Sequence, residues 1–129
     1  MAATYSDYSS DPLAAAIVEG MKEKKAEEIT VLDLRQVKNS ITDFFIICSG
    51  SSDSQVDAIS DSVEGFVKKN TKENPWQREG LQNKQWVILD YVSVVAHVFL
   101  HEWREHYGLE NLWGDAITVQ IPDKTETIR

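Results

Sequence analysis

The chain has 129 residues, 42% of them apolar and 26% charged. That is the balance of one soluble globular domain, long enough to bury roughly two-thirds of its unfolded surface. Thirteen basic residues against 21 acidic ones leave a net charge of −8, a field that repels nucleic-acid phosphates and suits a basic protein partner. No apolar run approaches the roughly 20 residues of a membrane span. The opening MAATYSDYSSDP has neither an apolar secretory core nor the arginines of a transit peptide, so a cytoplasmic protein is expected. The one cysteine, Cys48, sits inside the apolar run FFIIC and reads as a buried structural thiol in a reducing compartment.

Residues 1–9 are small and polar and are expected to be flexible, as is the tail 123–129; one domain spans 10–122. Asp11-Pro12 opens the first helix, an acidic cap followed by proline at the first helical position, with Leu13, Ile17 and Met21 on its buried stripe. Residues 29–34 read as a strand. Residues 43–48 form a continuous apolar run, a strand buried on both faces. Ser51 or Ser52 caps a long second helix whose buried face carries Val56, Ile59, Val63, Phe66 and Val67, ending near Asn70. The polar stretch 71–85, with Pro75 and Gly80, is predicted to be a loop. Two strands, 86–91 and 94–99, follow as a hairpin, then a short helix from about Leu100 to Tyr107-Gly108. Alternation of Ile117, Val119 and Ile121 before Pro122 gives a final edge strand. The fold class is α/β: a single domain with a mixed central sheet flanked by helices.

The residues spell out no reaction. Gly50-Ser51 stands between a strand and a helix, where amides attract phosphate, but metal-assisted nucleotidyl transfer also needs paired carboxylates on a strand. No Asp-x-Asp follows, and Asp57 and Asp61 fall one turn apart on the helix. His101-Glu102 and His106 approach the zinc-protease pattern with one residue too many. Five positions turn a helix by roughly 500°, which leaves the imidazoles on different faces. Lys22, Lys24 and Lys25 are interleaved with Glu19, Glu23, Glu27 and Glu28, a solvated helix face. No catalytic residue, metal site or cofactor is expected; a divergent nucleotide-binding or nucleotidyl-transferring enzyme is the alternative.

The segment 86–116 holds three of the four tryptophans and all three histidines. Along the second hairpin strand Val94, Ala96 and Val98 share one face, and Val95, His97 and Phe99 the other. Along the first, Trp86, Ile88 and Asp90 oppose Val87, Leu89 and Tyr91. If helices cover one face, the other offers aromatic and polar anchors for a protein partner.

Several stretches together resemble the ribosome silencing factor (Iojap-like) family: DFFIICSGSS at 43–52, QVDAI at 55–59, Glu79-Gly80, WVILD at 86–90 and VAHVF at 95–99. Glu102, Arg104, Tyr107, Leu109, Glu110, Leu112 and Trp113 complete the pattern. The family usually turns its hairpin with Gly-Asp, where this chain has Val92-Ser93. The resemblance implies a nucleotidyltransferase-like topology without catalytic carboxylates, and no enzymatic activity. It implies binding to the large ribosomal subunit through its fourteenth ribosomal protein, which blocks joining of the small subunit and represses translation under nutrient limitation. It also implies that Trp86 is the binding tryptophan, with Asp90, Tyr91, His97 and Phe99 as further contact candidates. Residues 107–113 would close the fold, and a homodimer is left open.

Overall fold

The structure, a computed structural model, describes residues 6–109 and 116–122. Helix α1 (Pro12–Glu23) starts as the sequence predicts: the Asp11 carboxylate accepts from the amides of Leu13 and Ala14, with proline in the first turn. Strands β1 (Glu27–Asp33) and β2 (Phe44–Gly50) follow, and β2 is buried on both faces apart from a partly exposed Phe45. The Ser52 hydroxyl caps α2 (Asp53–Thr71) by accepting from the Gln55 amide.

The polar stretch expected to be a loop contains a three-residue strand, β3 (Gln77–Glu79), antiparallel to the next strand. All three of its residues are exposed, so it carries no apolar alternation to read; backbone pairing and the Arg78–Glu64 ion pair hold it. The hairpin is formed by β4 (Trp86–Asp90) and β5 (Val94–Leu100). Helix α3 (His101–Tyr107) ends at Gly108 in the left-handed region, and β6 (Ile117–Gln120) stops before Pro122.

The sheet runs β3-β4-β5-β2-β1-β6, so β6 lies at an edge as expected. Among the described strands only β2 and β5 pair in parallel and the other pairings are antiparallel, which makes the sheet mixed. One face packs on α1 and α2: Leu13, Ile17, Met21, Val56, Ile59 and Val63 meet Phe44, Ile46, Val87, Leu89, Ala96 and Val98. Cys48 is buried in this layer, and burial pushes its thiol up to about 12, leaving too little thiolate for nucleophilic chemistry. The two helices approach closely at Gly20, where an added Cβ would lie 2.7 Å from the Val63 Cα.

Part of the N-terminal segment makes its own contacts. Tyr8–Ser10 forms a 3-10 turn, Asp7 pairs with Arg35, and the Ser6 hydroxyl donates to Asp33 at 2.6 Å. Its small polar residues give no sign of this, because the contacts are to charged groups more than 20 residues away.

Candidate functional site

The second face of the sheet is covered differently. Among the described residues no long helix lies on it: α3 sits at the end of β5, and Leu109 packs with Leu32, Leu34, Ile47 and Phe99. Strand period brings Trp86, Ile88 and Asp90 onto this face with Val95, His97 and Phe99, in register Trp86↔Phe99, Ile88↔His97 and Asp90↔Val95. Phe45 and Ile47 of β2 continue the same rows.

Trp86 is partly buried at the centre of an aromatic cluster. Its ring stacks on Phe99 at 5.0 Å between centroids and lies tilted against Tyr107 at 4.6 Å, and its indole N–H donates to His97 Nδ1 at 3.0 Å. His97 in turn meets Phe45 edge-on at 4.7 Å. The sequence places Trp86 outward; the structure shows a partly buried ring held by three side chains, which fixes its pose.

The other candidates divide. His97 is 4% exposed and Phe99 fully buried, so both support Trp86 rather than present a free surface. Asp90 lies at the far end of the same face, partly exposed, where its carboxylate accepts from the Val92 amide at 2.8 Å. Tyr91 does not share this surface. One residue further along the strand, it faces the helices and is 5% exposed within the α1–α2 core. Burial raises its phenol pKa, and the hydroxyl has no hydrogen-bond partner.

Burial holds the His97 imidazole neutral, its pKa depressed to about 3 from the ordinary 6.5 or so. Because the native state resists the proton that the unfolded chain accepts, stability contributed by this site is complete above the unfolded pKa. It is lost as pH falls from about 6.5 toward 3. Between pH 7 and pH 5 this one group should remove up to about 2 kcal/mol. Urea titrations at the two pH values should show that loss in the wild type and not in His97→Gln, whose side-chain carbonyl can still accept from Trp86. Equal acid sensitivity in both would refute the assignment.

Arg104 anchors α3. It is 6% exposed, and its guanidinium donates to the Glu28 carbonyl at 2.6 Å, Ser49 Oγ at 3.1 Å and Thr30 Oγ1 at 2.9 Å. A bulge in β1, with Glu28 at φ 52°, aims that carbonyl. The sequence pattern includes Arg104 without a role and places Tyr107 in the segment that closes the fold; the partners of both lie on other elements, so no local spacing reports them. Leu112 and Trp113, expected to help close the fold, lie outside the described residues.

The hairpin turn is strained where the sequence raised the question. Val92 adopts φ 77°, a costly value for a β-branched residue. It is held by Asp90 and by the Thr42 hydroxyl, which donates to the Val92 carbonyl at 2.9 Å.

At Gly50-Ser51 the geometry opposes phosphate binding. The Ser51 amide and hydroxyl both donate to Gln55 Oε1, at 2.6 and 2.9 Å, and the Gln55 amide group is tied to the Lys24 and Lys25 carbonyls. Gly50 serves packing, since an added Cβ would meet Val56 at 3.1 Å. Asp57 pairs with Lys84 at 2.8 Å. Among the described residues no group of three histidine, cysteine or acidic side chains converges on a metal position, and no helix is long and apolar enough to cross a membrane.

Comparison with known proteins agrees with this architecture. The family model described as "Ribosomal silencing factor during starvation" matches residues 7–129. The ribosomal silencing factor of Halalkalibacterium halodurans is 37% identical over 113 residues, covering 88% of this chain and 95% of that protein. A crystal structure from Chromobacterium violaceum superposes with a TM-score of 0.74 at 30% identity, covering 79% of this chain and 83% of that one. The mouse protein named mitochondrial assembly of ribosomal large subunit protein 1 is 30% identical over 75% of this chain and 43% of its own length. With a matched model spanning nearly the whole sequence and the same fold in a solved relative, this chain belongs to the ribosomal silencing factor family.

Proposed function

We propose that the protein acts by binding rather than by catalysis. It docks on the large ribosomal subunit through the fourteenth ribosomal protein and sterically blocks joining of the small subunit, repressing cytoplasmic translation under nutrient limitation. The observation that carries this reading is Trp86. It is an aromatic residue held in one pose by Phe99, Tyr107 and His97, on the sheet face that α1 and α2 leave uncovered. Family membership points to the ribosome, and the name of the mouse relative points to the large subunit. The charge of −8 favours a basic protein surface and speeds encounter with it. Against the enzyme alternative stands the Gly50-Ser51 turn, whose amide and hydroxyl are already engaged by Gln55.

Co-sedimentation decides between outcomes. The protein should pellet with isolated large subunits, not with small ones, and should lower the yield of joined ribosomes when added before mixing. Association should slow as salt rises toward about 0.2 M, because charge steering is screened. Equal retention by both subunits, or saturable binding of ATP with Mg²⁺ in place of ribosome binding, would overturn the proposal.

A further inference from the structure

Helix α3 is held to the sheet in a way unlike the two long helices. It has seven residues, and its N-cap residue, Leu100, makes no side-chain cap. A helix of two turns is marginal by itself, so tertiary contacts decide where it lies. Yet it brings no apolar stripe to the core. Among its described residues Arg104 alone is buried, Trp103 is partly exposed and the others are exposed.

A polar clamp takes the place of that stripe. The Arg104 guanidinium reaches the Glu28 carbonyl and Thr30 Oγ1 on β1, and Ser49 Oγ on β2. The Arg104 carbonyl accepts from the Gly108 amide at 3.1 Å, which closes the helix at the same residue. A guanidinium is a rigid planar fork, so donors engaged on separate acceptors set the rotation of the helix as well as its distance. Tyr107 stands three positions further on, next to Arg104 on the helix surface. Its ring lies 4.6 Å from Trp86 and 5.9 Å from Phe99. Of the three side chains that hold Trp86, Phe99 and His97 are placed by the register of β4 and β5. Tyr107 comes from outside the sheet, and its place depends on α3.

We propose that Arg104 is a positioning residue for partner binding: by fixing α3 it holds Tyr107 against Trp86 and so sets the pose of the indole. The inference rests on the reading of Trp86 as the ribosome-binding anchor. It adds that a buried group with no place in the contact surface governs how well that anchor is presented.

Arg104→Lys keeps the charge and loses the fork. Affinity for isolated large subunits should fall by about tenfold, because the anchor is no longer held in one pose. In ¹⁵N-labelled protein the Trp86 indole N–H resonance, identified by its loss in Trp86→Phe, should move in the same direction as in Tyr107→Ala. The double variant should bind no more weakly than Tyr107→Ala alone, since residues that act through one another do not add. Ser49→Ala removes one acceptor and leaves the arginine in place. It should show the same two changes at smaller size, so the test does not depend on Arg104→Lys folding. Variants that melt lower but keep the wild-type indole resonance and affinity would make Arg104 a stability residue alone and overturn the proposal. Binding losses that add in the double variant would also overturn it, because Arg104 would then act by a route other than Tyr107. If the wild type itself fails to bind large subunits, the ribosome reading falls, and the indole resonance alone decides whether Arg104 positions Trp86.

Discussion

Gly80→Ala should be among the most damaging single substitutions in this protein, although Gly80 lies in a polar stretch with exposed neighbours. The residue sits at φ 81°, and a Cβ built on it would stand 1.9 Å from the Trp86 carbonyl oxygen. Both partners are backbone, so no side-chain rotation relieves the contact. The chain must either shift the start of β4 or detach β3. Left-handed backbone alone costs a non-glycine residue about 1 kcal/mol; the steric contact should raise the total to about 3 kcal/mol, or roughly 10 °C in melting temperature for a domain of this size. Gly80→Asn separates the two causes, because asparagine tolerates positive φ but still carries a Cβ. If the contact dominates, both variants fail alike, and hydrogen exchange should show β3 and the start of β4 opening first. A Gly80→Ala protein melting within about 2 °C of the wild type would contradict this account.

How legible the molecule was in its sequence depended on where each signal resided. The Asp11-Pro12 start, the Ser52 cap, the doubly buried β2 and the alternation of the hairpin are local patterns, and each is realised in the structure. β3 was invisible because its three residues are held by a ladder and an ion pair to α2, neither of which needs an apolar residue. The Arg104 clamp was invisible for another reason. Its acceptors are a bulge carbonyl and two hydroxyls on β1 and β2, more than 50 positions away. Within the site, periodicity put His97 with Phe99 on one strand and Trp86 with Asp90 on the other, and the register joins these two rows, but it could not report depth. Tyr91 was grouped with them although the same period turns it to the helices.

Depth also changes what Trp86→Ala should do. From the sequence, a residue at a strand start after a polar loop invites the expectation that truncation leaves the melting temperature nearly unchanged. The structure requires a folding cost as well. The variant loses stacking on Phe99 and the ring contact with Tyr107, and leaves His97 Nδ1 without its donor. Because the ring is only partly buried, the cost should stay near 2 kcal/mol, below the roughly 3–5 kcal/mol of a fully buried aromatic. That corresponds to a melting temperature lower by about 6–10 °C. Binding should fall much further than folding. Loss of an anchor at the centre of an interface removes about 2 kcal/mol or more, roughly thirtyfold in affinity for isolated large subunits. Measured well below the transition, where the variant is folded, that deficit cannot be assigned to unfolded protein. Trp86→Phe sharpens the comparison, since it keeps an aromatic ring against Phe99 and Tyr107 while removing the indole N–H, and should bind between the two. A folded Trp86→Ala protein that binds large subunits as tightly as the wild type would show that Trp86 only closes the β4–α3 aromatic cluster. The partner would then have to meet this face elsewhere.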